Sequence, residues 1–258
     1  MNTLVAYLIV IAVWATTPLG IKWSGEALPA FAAAGSRMAI AAALGLLWLA
    51  ARRQGLPLHR RALSSYAAAL PGIFGAMGCS YMAARDLPSG LISVVFGLAP
   101  LISGLMMQWL LSAVTLFAAS GIVVQRVGAG LAPMQQTVGG LLFSLPLYAL
   151  AMLLSGQGFD YSGDQRGLGA IVYLAVFGSL LGFYCYFQVL GRLPAATVAL
   201  VTLITPVLAL MLGAALNDEL LGGRVLAGAA VIVAALGLYL LGDRRVRRGV
   251  VSTAAGDG

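Results

Sequence analysis

The stretch AATVALVTLITPVLALMLGAALN, residues 195–217, contains no Asp, Glu, Lys, Arg or His. An α-helix rises ~1.5 Å per residue, so about 20 apolar residues cross the ~30 Å hydrocarbon core of a bilayer. The stretch is long enough to do this, and it has company. Apolar runs of similar length lie near 3–21, 29–51, 63–84, 89–111, 131–155, 168–190 and 223–241, divided by Gly, Pro and charged residues. Composition agrees: 61% of the 258 residues are hydrophobic and 9% charged, against about 25% charged in a soluble domain. No succession of short segments alternates with period two, as a transmembrane β-barrel would require. The expected fold is an all-α, polytopic transmembrane helical bundle.

The net charge of +7 does not point to nucleic acid, because the basic residues fall between apolar runs and not on one amphipathic face. The partner this implies is the lipid bilayer. Arg52, Arg53, Arg60 and Arg61 mark one loop, Arg126 and Arg192 two more, and Arg244, Arg245, Arg247 and Arg248 the tail, whereas Glu26, Asp86, Asp160, Asp164, Asp218 and Glu219 occupy the intervening connections. Basic loops stay on the cytoplasmic side, so a bacterial-type inner membrane protein with both termini in the cytoplasm is expected. The run from Leu4 to Val13 follows Met1 with no basic stretch or small-residue cleavage site, and reads as a first span that is retained. Both termini inside require an even number of crossings. A leftover apolar segment, 112–125, makes nine candidates.

The count finds its explanation in a repeat. Leu87-Pro88 precedes a helix with Pro100, and Leu193-Pro194 precedes one with Pro206; both spacings are twelve residues, and an offset of 106 aligns the copies. The offset puts the Asp86 loop outside and the Arg192 loop inside, the mark of an inverted-topology repeat. It also aligns Leu111 with Asn217, after which the second copy continues through Asp218-Glu219 into another span, whereas Ser112 opens a new copy at once. The expected organisation is a first repeat of four helices over 1–111, a second of five over 112–243, and a basic, disordered cytoplasmic tail over 244–258.

With Trp14 in the first helix, Arg37 opening the second after Pro29, the paired Leu-Pro entries with Pro100 and Pro206, and Asp218-Glu219 before a last span containing Gly228, the chain resembles the drug/metabolite transporter superfamily, in particular its EamA-type members. The resemblance implies ten helices in two inverted five-helix repeats. It further implies transport, in the export direction, of small metabolites, amino acids or amphipathic compounds by alternating access. The departure is the missing fifth helix. It leaves a second reading: a transport-inactive, internally deleted remnant or membrane interaction protein, with a homodimer covering the surface the missing helix would have covered. Residues 89–125 could make one net crossing, keeping every basic loop inside, although a straight helix of that length would measure ~55 Å. Two separate spans would instead turn the second half over.

Candidate residues for a solute pathway follow from depth and chemistry. Pro100 and Pro206 each remove a backbone donor inside a span and kink it. Freed backbone at that depth is tolerated against protein or a wet cavity. Trp14, Tyr81, Tyr186, Gln125 and Gln188 bring aromatic faces and hydrogen-bonding groups to a pocket, while Tyr7, Trp23, Trp48 and Tyr239 suit anchors at the membrane interface. Arg37, about two turns into its span, either serves function or snorkels to the headgroups. No carboxylate lies mid-span, so no proton-coupling group is visible. An enzyme is not expected: there are no paired carboxylates, no phosphate-cradling glycine loop and no nucleophile with its base. Cys79 and Cys185 read as buried thiols, and no metal site or cofactor is expected.

Overall fold

The computed structural model describes residues 1–84, 108–193, 195–217 and 230. Among these residues there are seven helices: α1 Thr3–Ala27, α2 Ala30–Ala51, α3 Arg60–Ala84, α4 Gln108–Val127, α5 Pro133–Ser155, α6 Gln165–Leu190 and α7 Ala195–Leu216. α1, α2, α3, α5 and α6 are each long and apolar enough to cross a membrane, and α4 and α7, at 20 and 22 residues, match the bilayer in length. Pro100, Asp86, Asp218, Glu219, the run 223–241 apart from residue 230, and the tail 244–258 lie outside the described residues.

Local chemistry sets the helix ends. Asn2 caps α1 by accepting from Leu4 N, His59 caps α3 through Ala62 N, and Asp164 caps α6 through the amides of Arg166 and Gly167. Gly156 ends α5 at φ 64°, a left-handed conformation that glycine adopts without a Cβ penalty.

The burial pattern is that of a protein dissolved in lipid. Leu4, Leu8, Leu47, Leu153, Leu154 and Met211 face outward, whereas Ser24, Arg37, Ser65, Gln136, Thr137 and Ser179 are buried. Lipid gives apolar side chains no reason to leave the surface, so polar groups and small residues hold the helices together. Gln136 of α5 accepts from the Ser65 hydroxyl and donates to the Ser65 carbonyl of α3.

The helix directions can be read from contacts. Gln188 donates to Met1 O and Arg192 to Thr3 Oγ1, so α6 ends where α1 begins. At the other end Ser162 meets the carbonyls of Glu26 and Ala27, and Trp23 donates to Asn217. α4 runs antiparallel to α3: Ser120 sits against Gly72 and donates to Ala68 O, and Leu116 sits against Gly75. The same register brings the start of α4 beside Met77–Ala84. Ala84 and Gln108 therefore lie at one end of the bundle, and α4 runs from that end to the one that holds Arg126. α4 also passes through Leu111 and Ser112 without a break.

Corresponding helices of the two halves run in opposite directions and cross-pack. α1 lies along α6, α4 along α3, and α2 against α5. α3 contains a π-helical stretch, Pro71–Ala76, and α6 another, Leu174–Leu181. The repeat offset carries the first onto 177–182, so the two overlap. The chain is an inverted-repeat helical bundle.

Candidate solute pathway

An open vestibule enters the bundle from each end. At the end holding the α1–α2 turn, a cavity of about 670 Å³ is lined by Lys22, Glu26, Tyr81, Gln157 and Asp160, among others. At the opposite end, a cavity of about 790 Å³ is lined by Ser65, Gln125, Gln136, Phe187 and Arg192, among others.

Closely packed side chains stand between them. Trp14 of α1 meets Phe117 of α4 edge-on at 5.3 Å between ring centroids, Phe183 of α6 at 6.1 Å and Tyr186 of α6 at 5.2 Å. Phe117 and Tyr186 are 5.0 Å apart, and Tyr186 touches Phe187, which lines the second vestibule. Glycines allow this approach: a Cβ on Gly182 would stand 2.6 Å from Trp14 Nε1, and one on Gly121 2.6 Å from the Tyr186 hydroxyl oxygen. Of the residues expected from the sequence, Trp14 and Tyr186 are thus brought together. Phe117, Phe183 and Phe187 complete the cluster without any signal in the sequence, because a phenylalanine in an apolar run has the same pattern wherever it points.

Tyr81 is buried at the inner wall of the first vestibule, where its hydroxyl accepts from Ser24. Arg37 lies deeper in α2 and does not snorkel: it is 1% exposed, its Nε donates to Ser179 Oγ at 2.6 Å, and its NH1 has no hydrogen-bond partner among the described residues. Ser179 belongs to the π-helical stretch of α6. The partner arrangement is Tyr148 of α5, whose hydroxyl donates to the carbonyls of Ile73 and Phe74 in the π-helical stretch of α3. Each second helix thus reaches the irregular turn of the opposite half. Such turns mark functional positions in many helices.

The remaining expected residues have defined surroundings. The Gln125 amide donates to Leu190 O at 2.8 Å while the residue lines the second vestibule, and the Gln188 amide donates to Met1 O at 2.7 Å. Pro206 lies within α7, next to Thr205, whose hydroxyl donates to Val201 O. Pro18 in α1 and Pro146 in α5 likewise interrupt helices, removing the usual donors to the Trp14 and Leu142 carbonyls. Trp23 is pinned by its bond to Asn217 and by the Arg166 guanidinium 4.2 Å above its ring.

The EamA-like transporter family matches residues 1–112 and 104–241, which together span most of the chain. The chain belongs to the EamA-like transporter family. It is therefore a multi-pass membrane protein of a family that transports. A Salmonella typhimurium protein described as a probable amino-acid metabolite efflux pump is 34% identical over 108 residues, 40% of this chain and 36% of that relative. The EamA-like chain thus covers about a third of that relative's length. One solved crystal structure superposes with a TM-score of 0.66 at 16% identity, covering 90% of this chain and 95% of the other. That likeness is one of fold.

Proposed function

We propose that this EamA-like protein exports small metabolites, amino acids or amphipathic compounds by alternating access across a bacterial-type inner membrane, with its termini in the cytoplasm. The observation that carries this reading is the pair of vestibules at opposite ends of the bundle, separated by the packed block of Trp14, Phe117, Phe183 and Tyr186. The cross-packed inverted halves support it, since rocking one half against the other would open each vestibule in turn. Tyr81, Arg37, Trp14, Tyr186 and Gln125 line or adjoin the route between vestibules; Gln188, Pro100 and Pro206 belong to the same proposal from the sequence. The amino-acid efflux named for the Salmonella relative supports amino acids among the solutes.

The test is counterflow in liposomes: purified full-length protein, preloaded unlabelled amino acid inside, tracer outside. The expected result is transient tracer accumulation that Trp14→Ala or Tyr186→Ala reduces at least about tenfold, a loss of 1.4 kcal/mol or more in transition-state terms. The remnant reading is favoured by one observation: the first family-matched segment is 112 residues long and the second 138. Properly folded protein that accumulates no tracer from a panel of amino acids, small metabolites and amphipathic compounds would favour that reading, and homodimers in detergent would then account for the exposed face.

A further inference from the structure

The C-terminal end of α2 carries two arginines where the bundle meets the membrane surface. Leu44, Leu47 and Trp48 are exposed on α2, and residues four apart share a helix face. Arg52 follows Trp48 at that spacing, and its guanidinium lies over the indole, 5.6 Å from the ring centroid. The stripe that meets lipid therefore ends in an indole covered by a cation. Indoles settle at the level of the lipid headgroups, so Arg52 lies where lipid phosphates lie.

Arg53 adds an observation of a different kind. Its N–H reaches Ala50 O at 2.9 Å, and the Gln54 N–H reaches Leu49 O at 2.9 Å, the paired bonds that close a helix through a left-handed residue. That residue is Arg53, at φ 53°, the one non-glycine with a positive φ among the described residues. Glycine is usual there, because a Cβ disfavours the conformation. Here the position holds an exposed arginine, with Gly55 two residues further on. Backbone kept in a disfavoured conformation points to a function for its side chain.

The connection that follows is held in place. Leu56 packs against Leu49, Met134 and Val138, Gln135 donates to Gly55 O, and Tyr66 donates to Pro57 O. Anchored on α2, α3 and α5, it presents Arg52 and Arg53 from a fixed backbone. Both arginines are exposed, and the described carboxylates, Glu26, Asp160 and Asp164, gather at the other end of the bundle. Two full positive charges exceed the partial negative charge of a helix C-terminus, about half a unit.

We infer that Arg52 and Arg53 bind the phosphate of an anionic phospholipid whose acyl chains lie along Leu44, Leu47 and Trp48. Guanidinium forks match phosphate oxygens through paired N–H···O bonds. The exposed apolar stripe continues directly from the charges, and a lipid fills both where a free phosphate would fill one. The chain's own tail is no counterpart, since Arg244, Arg245, Arg247 and Arg248 make it basic as well. A zwitterionic headgroup carries its own cation beside the phosphate, so the site prefers a lipid of net negative charge. This binding stands whether or not the protein moves a solute.

Trp48 itself can report the lipid. The purified full-length protein is placed in nanodiscs of phosphatidylcholine containing a rising share of acyl-brominated phosphatidylglycerol or, in parallel, of acyl-brominated phosphatidylcholine. Bromine quenches an indole it touches, and subtracting the same titration of Trp48→Phe leaves the Trp48 signal. A basic residue at a membrane surface favours anionic lipid by a factor of about five. Half-quenching should therefore come at a share of phosphatidylglycerol at least about fivefold below that of phosphatidylcholine. Arg52→Gln and Arg53→Gly should each reduce that ratio severalfold, Arg52→Lys should keep most of it, and Arg126→Gln, at the same end of the bundle, should leave it unchanged. Arg53→Gly separates binding from folding: relieved of the disfavoured backbone, it should unfold in detergent at no lower temperature than the wild type while its lipid preference falls. Equal quenching by the two lipids overturns the inference, and so does an Arg53→Gly protein that retains the full preference. An equal loss in Arg126→Gln and Arg52→Gln overturns it too, because the effect would then belong to overall charge and not to this site.

Discussion

At the scale of single residues, the glycines beneath the aromatic cluster make the sharpest prediction. In Gly182→Ala the new Cβ would sit 2.6 Å from Trp14 Nε1 and 3.2 Å from the Phe177 carbonyl oxygen. The carbonyl is backbone, so moving a side chain does not relieve it, and overpacking of this kind costs about 1–3 kcal/mol. Thermal unfolding of the purified variant should show the loss, together with reduced counterflow. Gly169→Ala is the control: the residue is exposed in α6 with nothing within 4 Å of a new Cβ, and exchanging glycine for alanine in a helix gains about 0.5–1 kcal/mol. A Gly182→Ala protein as stable as the control would show that the cluster yields freely. These residues also show how much of the pathway was legible. Trp14 and Tyr186 stand out in an apolar run because of their polar handles. Ser179 does not, because one hydroxyl among apolar residues has no partner until folding brings α2 beside α6. The two glutamines stand out equally well, yet each amide reaches a backbone carbonyl, at Met1 and at Leu190. Their side chains tie helix ends together, and sequence depth does not reveal a partner.

At the scale of helices, the existence of the spans was readable, because hydrophobic length is a bulk property of the chain. The ends were less so. α1 continues past Lys22 and Glu26 to Ala27, since a helix can extend beyond the hydrocarbon while hydropathy records only the part inside it. The π-helical stretches left no trace beyond Pro71 and scattered glycines, because they depend on what the neighbouring helix supplies. Tyr148 supplies it for α3: its hydroxyl serves two carbonyls, at 2.9 and 3.4 Å. Tyr148→Phe should therefore cost about 1 kcal/mol, within the range for hydrogen bonds between membrane helices, read as a lower unfolding temperature. If the irregular turn acts as a hinge in transport, the same variant should change counterflow rate more than solute affinity. An unchanged unfolding temperature would mean that the carbonyls find other donors and that the turn does not depend on α5.

At the scale of the whole molecule, charge and topology meet. Arg52, Arg53, Arg60, Arg61, Arg126 and Arg192 flank connections at one end of the bundle, and Glu26, Asp160 and Asp164 gather at the other. The sequence offers this sorting only if the crossings are counted correctly, and the count fails at residues 89–125, where apolar length alone cannot distinguish one crossing from two. The packing of α4 against α3, through Ser120 on Gly72 and Leu116 on Gly75, sets the direction of α4, a tertiary fact with no local signature. Because basic loops are retained in the cytoplasm, the arginine-bearing end should face inward in living cells. Single cysteines introduced at Gly130 and Tyr161, with Cys79 and Cys185 replaced by alanine, test this directly. Both sites are exposed, one in the α4–α5 connection and one in the α5–α6 loop. A membrane-impermeant thiol reagent applied to intact spheroplasts should label Tyr161→Cys and spare Gly130→Cys until the membrane is opened. The opposite pattern would place the arginines outside and defeat the cytoplasmic assignment of the N-terminus, although the bundle would be unchanged. Replacing Arg52, Arg53, Arg60 and Arg61 with glutamine removes four of the six flanking charges without touching either vestibule. If the charge bias sets orientation, this variant should be labelled at both positions in intact spheroplasts, as a population inserted both ways round.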